Sequence, residues 1–265
     1  DPYLAILDEG RFVLAGSDDT PLVWQDAACS TVAPADGTYV IQVRESAFGG
    51  SGACQYRLHV GTFPRPLAAY PAGGKVGQKL QVQWIGDAAG DWSEEVALPT
   101  GPREPFGLVA RDDGGAAPSA NRFRLSELPN VLEKEPNDKP EEATTFSAPA
   151  ALNGAISKPG DLDQFKFSVK KGQSYEVRVH ARELRSPLDS VLAIRRIGGA
   201  GVGSNDDSGG PDSYLRFQAP ADDEYVVSIR DHLDQGAPHY VYRVELAPVE
   251  PQLTMSLPER KSFVD

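Results

Sequence analysis

The stretch that decides the fold runs from residue 165 to residue 180 and reads Phe-Lys-Phe-Ser-Val-Lys-Lys-Gly-Gln-Ser-Tyr-Glu-Val-Arg-Val-His. Apolar and polar residues alternate on both sides of Lys171-Gly172. A period of two places the apolar side chains on one face of a strand and the polar ones on the other. The stretch therefore predicts a hairpin of two half-buried strands that turns at Lys171-Gly172.

The same alternation recurs elsewhere, for example at 225–229 and 240–244. No segment sustains a helical period, and Gly and Pro interrupt the chain about every 8–12 residues. Short alternating strands between such turns are typical of β-sandwiches and jelly rolls. We therefore predict an all-β protein.

Parts of the sequence occur twice. The repeated segments are Asp1-Pro-Tyr-Leu-Ala-Ile with Asp189-Ser-Val-Leu-Ala-Ile, Ser17-Asp-Asp with Asn205-Asp-Asp, and Ala33-Pro-Ala-Asp-Gly-Thr-Tyr-Val-Ile with Ala219-Pro-Ala-Asp-Asp-Glu-Tyr-Val-Val. This spacing is too long for a solenoid repeat and fits two copies of one domain. Since only the second copy has further residues in front of the match, we expect the chain to begin inside the first.

Proline-rich segments near residues 63–66 and 248–251 indicate linkers. They predict the later half of a first sandwich at 1–62, a small β domain at 63–128, a complete second sandwich at 129–247, and a linker with the start of a further domain at 248–265. The opening of the small domain, Tyr70-Pro-Ala-Gly-Gly-Lys-Val, resembles immunoglobulin-like domains of the transcription-factor type. The expected architecture is tandem β-sandwich or jelly-roll domains with an immunoglobulin-like sandwich between them.

The formal net charge of −12 and the pI near 4.8 restrict the partners. An acidic surface disfavours nucleic acid and anionic membranes, and it tolerates divalent cations. No apolar run is long enough to span a bilayer.

Cys29 and Cys54 are the only cysteines. They flank a predicted strand at 39–44, and a disulfide between them is feasible if their own strands are neighbours. Such a bridge would indicate an oxidising compartment. The alternative is two buried thiols.

Acidic and amide side chains are concentrated at two places. In an extended segment Glu133, Glu135 and Asn137 share one side, and Asp161 and Asp163 have the same spacing before a core strand. Five converging oxygen donors suit Ca²⁺, which takes 6–8 oxygen ligands, better than Mg²⁺. The alternative is a solvated acidic linker followed by an ordinary Gly-Asp turn.

A family resemblance favours calcium. The motifs in order are Glu-x-Glu-Pro-Asn-Asp at 133–138, Gly-Asp-x-Asp-x-Phe at 160–165, Ser186-Pro-Leu-Asp, Asn205-Asp-Asp and a closing strand around Tyr225. They resemble the bacterial pre-peptidase C-terminal domain, which is related to the collagen-binding domains of clostridial collagenases. The resemblance covers 131–246 and, for its later half, 1–60. It implies a calcium site at the same five residues and a non-catalytic role beside secreted enzymes or surface proteins. Because Arg230-Asp-His-Leu-Asp stands where the relatives carry exposed tyrosines, collagen specificity does not carry over.

Asp206 and Asp207 form a weaker candidate metal site. Their loop superficially resembles an EF-hand loop, but the final bidentate glutamate and the flanking helices are missing. Asp and Asn also form local turns by accepting hydrogen bonds from nearby backbone, and we favour that interpretation.

No catalytic constellation stands out, since the sequence has no His-Glu-x-x-His, Gly-x-Ser-x-Gly or phosphate-binding glycine loop. A carboxylate pair for glycosidase chemistry stays open on so acidic a chain, but nothing singles one out. The four histidines do not suggest a zinc site, and we expect His59 and His180 on wet strand faces. Trp24, Trp84 and Trp92 could stack on sugars. Trp84 alternates inward with the core, whereas Trp92 follows Gly90-Asp91 in a loop and is the better exposed candidate.

We therefore predict a non-enzymatic module, secreted, periplasmic or on the cell surface, with a structural calcium ion. It would act in adhesion, substrate binding or domain positioning within a larger bacterial protein. Its partners would be other domains of the polypeptide, with extracellular matrix, polysaccharide or a cell-surface ligand as further options. The alternatives are a pure spacer, or an accessory region of a secreted peptidase or glycan-active enzyme.

Overall fold

The computed structural model describes residues 1–101, 103–207 and 210–249, and in these ranges the protein is all-β, as predicted. The only helical segments there are two short 3-10 helices, Pro21–Val23 and Arg182–Leu184. Most of the further domain predicted to begin within 248–265 lies outside the described residues.

The first 45 residues form a three-stranded antiparallel sheet, which we call the N-terminal sheet. Its strands are β1 (Pro2–Leu7), β2 (Val13–Ser17) and β3 (Val40–Glu45), in the order β2-β1-β3. Residues 46–62 contain no strand. Several large apolar side chains in this part of the chain stay exposed, among them Phe12, Ile41 and Tyr56.

Residues 63–128, the middle region, contain nine short strands in the part that the structure describes. They are β4 (Ala68–Tyr70), β5 (Gly73–Lys75), β6 (Lys79–Ile85), β7 (Trp92–Ala97), β8 (Gly107–Leu108), β9 (Arg111–Asp112), β10 (Gly115–Ala116), β11 (Asn121–Arg122) and β12 (Arg124–Ser126). The sheet β4-β6-β7 is antiparallel, β8 pairs with β11, β9 with β10, and β5 runs parallel to β12. The alternation in β6 buries Val82 and Trp84 as the sequence predicts.

Residues 130–248 form two five-stranded sheets, which together we call the sandwich. Its strands are β13 (Asn130–Leu132), β14 (Thr144–Thr145), β15 (Ala150–Ala155), β16 (Asp163–Val169), β17 (Ser174–His180), β18 (Ser190–Arg196), β19 (Gly201–Asn205), β20 (Tyr214–Gln218), β21 (Asp223–Asp231) and β22 (Val241–Pro248). One sheet has the order β13-β15-β22-β17-β20 and the other β14-β16-β21-β18-β19. Their inner faces share one apolar core that includes Phe165, Leu192 and Val244.

The prediction that residues 165–180 form a hairpin is wrong. β16 pairs with β21 and β17 with β22 and β20, so the two strands belong to opposite sheets. The turn, closed by Gln173 N donating to Lys170 O at 3.1 Å, carries the chain across the core. Phe167 and Tyr175 then meet edge to face, with ring centroids 5.9 Å apart. Two alternating strands and a glycine turn have the same sequence pattern in a hairpin and in such a crossing, so periodicity could not separate the two.

The middle region packs on the sandwich around Arg243, which is fully buried. Its guanidinium donates to Ser126 Oγ at 2.8 Å, Asn130 Oδ1 at 2.7 Å and Glu245 Oε1 at 3.0 Å. A Cβ on Gly73 would lie only 2.7 Å from Arg243 Cδ, so the close approach of β5 requires glycine there. The buried charge is thus satisfied by groups from both parts of the chain.

Candidate metal centre

Local pairing brings the two acidic segments together. The chain leaves β13 beside β15, where Glu133 N donates to Asn153 O at 3.0 Å and starts the segment 133–138 across the sandwich end. Residues 133–138 are irregular rather than a strand. Asp163 opens β16, and the preceding Asp161 is fixed by Ser157, whose N and Oγ donate to Oδ2 at 2.7 and 2.9 Å.

Three of the five predicted ligands form a tight cluster. One carboxylate oxygen each from Glu135, Asp161 and Asp163 lies within 4.8 Å of the others. No other group of three or more metal-ligating side chains exists in the part of the chain that the structure describes. Asp161 and Asp163 are buried, whereas Glu135 is exposed, so the cluster opens to solvent on one side.

Several oxygens at this place lack a hydrogen-bond donor. Oδ1 of Asp161 and Oδ1 of Asp163 are buried and accept no hydrogen bond from any described residue, although Lys158 Nζ lies 3.3 Å from Asp161 Oδ1. Asn137, the fourth predicted ligand, is 0% exposed, and neither polar atom of its side chain has a partner among the described residues. Its backbone N donates to Glu135 Oε2 at 3.0 Å, which places it beside the cluster. Since buried polar atoms are normally satisfied, these orphans call for a ligand.

Glu133, the fifth predicted ligand, lies next to Asp163 rather than in the three-carboxylate cluster. Its Oε1 accepts from Ala155 N at 2.9 Å. The Tyr242 hydroxyl donates to Asp163 Oδ2 at 2.6 Å and lies 3.4 Å from Glu133 Oε2. A Cβ on Gly154 would overlap both the Glu133 carboxylate and the Tyr242 hydroxyl, so glycine allows them to approach.

Burial and neighbouring negative charge raise the pKa of three carboxyl groups here, those of Glu133, Glu135 and Asp163. Burial raises the pKa of Glu133, and the neighbouring Asp163 raises it further. Burial likewise raises the pKa of Asp163 despite its hydrogen bonds. The exposed Glu135 also has a raised pKa, first from desolvation and then from the charge of Asp161. A divalent cation would reverse these shifts, because it favours the ionised form of every ligand.

Sequence reasoning missed the groups that support the ligands. Asp138 Oδ1 accepts from Leu162 N at 3.3 Å, and the Asp138 carbonyl accepts from Gln164 Nε2, which ties the two acidic segments together. Ser157 and Tyr242 orient Asp161 and Asp163. In the sequence, alternation indicates that Tyr242 points inward, but nothing indicates that its hydroxyl contacts Asp163.

The weaker candidate lies apart from this cluster. Asp206 Oδ1 accepts from Asp207 N at 3.0 Å, and Asp18 Oδ1 accepts from Asp19 N at 2.9 Å in the matching segment. Both are local turns. Metal binding by Asp206 and Asp207 stays a prediction.

Cys29 and Cys54 are free thiols in the structure. The Cys29 sulfur lies 4.0 Å from the Leu4 carbonyl, and the Cys54 sulfur lies 3.7 Å from Ser51 Oγ. The condition for a bridge, neighbouring strands, is not met, because Cys54 lies in the strandless segment 46–62. The alternative of two buried thiols is not met either, since Cys54 is exposed.

The tryptophans and His180 differ from expectation. Trp92 is half-buried in β7 and stacks on Trp84 at 5.8 Å, whereas Trp24 is 66% exposed. His180, expected on a wet face, is 1% exposed. Its Nδ1 lies 3.0 Å from Glu183 and its Nε2 3.5 Å from Glu245, because the 3-10 helix Arg182–Leu184 and the neighbouring strand β22 bring these two carboxylates to the end of β17.

Comparison with known proteins gives partial matches. No family model matches the chain. A probable subtilase-type serine protease of Deinococcus radiodurans is 37% identical over 98 residues, which is 36% of this chain and 14% of the protease. The chain thus corresponds to a small part of that relative.

Similar solved structures include the pre-peptidase C-terminal domain of a Bacillus anthracis collagenase, 13% identical, covering 42% of this chain and 99% of that one, with a TM-score of 0.34. Another is PliG from Aeromonas hydrophila, a periplasmic inhibitor of g-type lysozyme, 15% identical, covering 45% and 99%, with a TM-score of 0.29. Scores this low carry no argument about function. No helix in the described ranges is long and apolar enough to cross a membrane.

Proposed function

We propose that this chain is a non-catalytic accessory region of a larger secreted bacterial protein, and that its sandwich is a pre-peptidase C-terminal domain with one structural Ca²⁺ ion. Glu135, Asn137, Asp161 and Asp163 supply the inner ligands, and Glu133 supports or joins them. The partial identity to a subtilase-type protease supports an accessory role beside a peptidase domain. A location outside the cytoplasm, in the periplasm or on the cell surface, is part of the same proposal.

The observation that carries the calcium proposal is a set of buried, under-satisfied oxygens. Those of Asn137 and Asp163 have no partner among the described residues, and Asp161 Oδ1 has only the ammonium of the exposed Lys158 at 3.3 Å. A hard cation with several oxygen ligands is the group that would bind all three. Mg²⁺ fits less well because it retains most of its waters, for which these buried oxygens leave little access.

We further propose that the region acts by positioning domains. The metal-binding segment follows β13 directly, and β13 carries Asn130, which binds the buried Arg243. Tyr70 of the middle region lies 3.5 Å from the Asn153 carbonyl, and burial followed by the charges of Glu133 and Asp163 raises its pKa. A cation at the site would therefore strengthen the end of the sandwich on which the middle region rests.

The test is thermal unfolding in excess Ca²⁺ and in excess chelator. At a Ca²⁺ concentration 100 times Kd, binding stabilises the folded state by about 2.7 kcal/mol, which for a domain of this size raises the midpoint by roughly 10 °C. Asp163→Asn should lose most of this shift. In chelator it should unfold no earlier than the parent, because it removes a buried charge while its amide oxygen still accepts from Tyr242.

Asp207→Asn is the matched control and should keep the full calcium shift. If Asp163→Asn lowers the midpoint equally in calcium and in chelator, Asp163 has a structural role only and the proposal is wrong. If only Asp207→Asn loses the calcium-induced rise of the unfolding midpoint, the ion binds at the weaker candidate site and not at Asp163.

A further inference from the structure

A cleft of about 310 Å³ lies between the middle region and the 3-10 helix Arg182–Leu184 of the sandwich. Its apolar lining comes from Phe106, Phe123, Leu125 and Leu184. Phe123 and Leu125 are buried, and Phe106 packs edge to face on Phe123 at 6.2 Å, so this lining is held by the core of the middle region. The volume is at the lower end of the range of small-ligand pockets.

The side chains that line the cleft carry more positive than negative charge. Glu104 is paired with Arg124, which also lies 3.4 Å from Glu245, and Glu183 lies 3.0 Å from His180. Arg103 and Arg122, by contrast, are exposed, and their guanidinium groups make no ion pair or hydrogen bond with any residue that the structure describes.

A second guanidinium stands beside Arg122. Burial and then the charge of Arg122 lower the pKa of Arg185, which lines an adjoining crevice together with Arg122. Arg185 contacts the Trp24 ring but no carboxylate among the described residues. Two neighbouring guanidiniums without an anion between them are unusual in a chain of net charge −12.

We propose that this cleft binds a short peptide in which an apolar side chain is followed by a free C-terminal carboxylate. Arg122 would bind the carboxylate, because the guanidinium fork matches its two oxygens, and Arg103 would add a second cation. The apolar side chain would lie on Phe106 and Leu184. An acidic polysaccharide fits less well, since its polar rings would leave this apolar lining uncovered.

The inference goes beyond the proposed calcium site, and no residue of the cleft belongs to that site. It is therefore tested separately, in excess Ca²⁺ and well below the unfolding midpoint. The probe is a fluorescein-labelled hexapeptide, Gly-Ser-Gly-Ser-Leu-Phe with a free carboxylate, measured by fluorescence polarisation. We expect saturable binding with a Kd below about 1 mM, and about tenfold weaker binding by the amidated peptide.

Arg122→Gln should weaken binding of the free carboxylate about tenfold and leave binding of the amide almost unchanged. Arg111→Gln is the matched control, an exposed arginine of the middle region away from the cleft, and should bind like the parent. Equal binding of acid and amide, equal loss in both variants, or no binding up to 1 mM would overturn the proposal. Binding of a galacturonate oligosaccharide that is lost in Arg122→Gln would likewise overturn it and assign the cleft to a polysaccharide.

Discussion

The three strands of the N-terminal sheet match three strands at one edge of the sandwich in sequence and pairing, but the two sets differ in how far they are buried. β2-β1-β3 has the pairing of β19-β18-β21: Leu4 lies opposite Ser17 and Val43, as Leu192 lies opposite Asn205 and Ile229. In both β1 and β18 the register shifts directly after the shared Leu-Ala-Ile. Burial differs at matched apolar positions, since Ile41 is 38% exposed and its counterpart Val227 is 0% exposed.

The difference separates what a strand sequence determines from what packing determines. Strand order and register are the same in both copies, so they do not depend on a covering sheet. Burial of the apolar face requires a second sheet, and β13-β15-β22-β17-β20 provides it in the sandwich. The N-terminal sheet should therefore be the less stable of the two, although its pairing is the same.

The largest expected effect comes from truncating the matched leucines. Leu192→Ala should destabilise the sandwich by about 3 kcal/mol, because it opens a cavity in a closed core. Leu4→Ala should cost less than about 1 kcal/mol, since Leu4 is only half-buried. Hydrogen exchange measured by mass spectrometry on β18 and β1 peptides reports the two local stabilities separately. Similar losses at both sites would show that the N-terminal sheet is covered in solution.

The second-largest expected effect is a difference between the two regions in how their stability depends on pH. Burial lowers the pKa of His180, but the Glu183 and Glu245 carboxylates outweigh it and raise the pKa above the usual value. A raised folded-state pKa gives stability that is fully present below about pH 6.5 and is lost as pH rises through the folded value. The N-terminal sheet contains no histidine and should lack this dependence.

His180→Gln tests this. At pH 6 it should cost about 1.5 kcal/mol, in line with loss of a charged hydrogen bond, and the difference from the parent should shrink toward pH 8. Urea unfolding in excess Ca²⁺ is the measurement, because a cation at the proposed metal site would favour the ionised form of its ligands and so reduce their own pH dependence. A difference that grows with pH would contradict the assigned charge state.

A pair of matched tyrosines gives a smaller effect. The Tyr225 hydroxyl donates to Ala221 O at 3.0 Å, and the Tyr39 hydroxyl donates to Ala35 O at 2.5 Å. Tyr225→Phe should cost about 1 kcal/mol, because the acceptor is partly buried, and Tyr39→Phe less than about 0.5 kcal/mol in an exposed turn. Hydrogen exchange of the turn amides in both variants measures the two costs, and a larger loss at Tyr39 would reverse the proposed order.

The sequence predicted where strands and acidic clusters lie better than it predicted which strands pair with each other. Alternation identified β6, β16, β17 and β21, and the spacing of acids predicted that Asp161 and Asp163 lie together, because both signals are local. The crossing at Lys171-Gly172 and the burial of His180 depend on which surface comes to lie above a strand, and a period of two contains no such information. The same holds for Arg243, whose burial depends on glycine at position 73 in another part of the chain.

The smallest expected effect concerns the contact between the two regions. The Arg185 guanidinium lies 4.0 Å from the centroid of the Trp24 ring, which links the N-terminal part to the sandwich. An exposed cation–π contact contributes about 0.5–1 kcal/mol. A double-mutant cycle with Trp24→Leu and Arg185→Gln, measured by urea unfolding, should give a coupling energy of about 0.5 kcal/mol. The matched cycle with Arg182→Gln should give none, since Arg182 is paired with Asp189 at 3.2 Å. Equal coupling in both cycles would mean that the N-terminal part is not held by this contact.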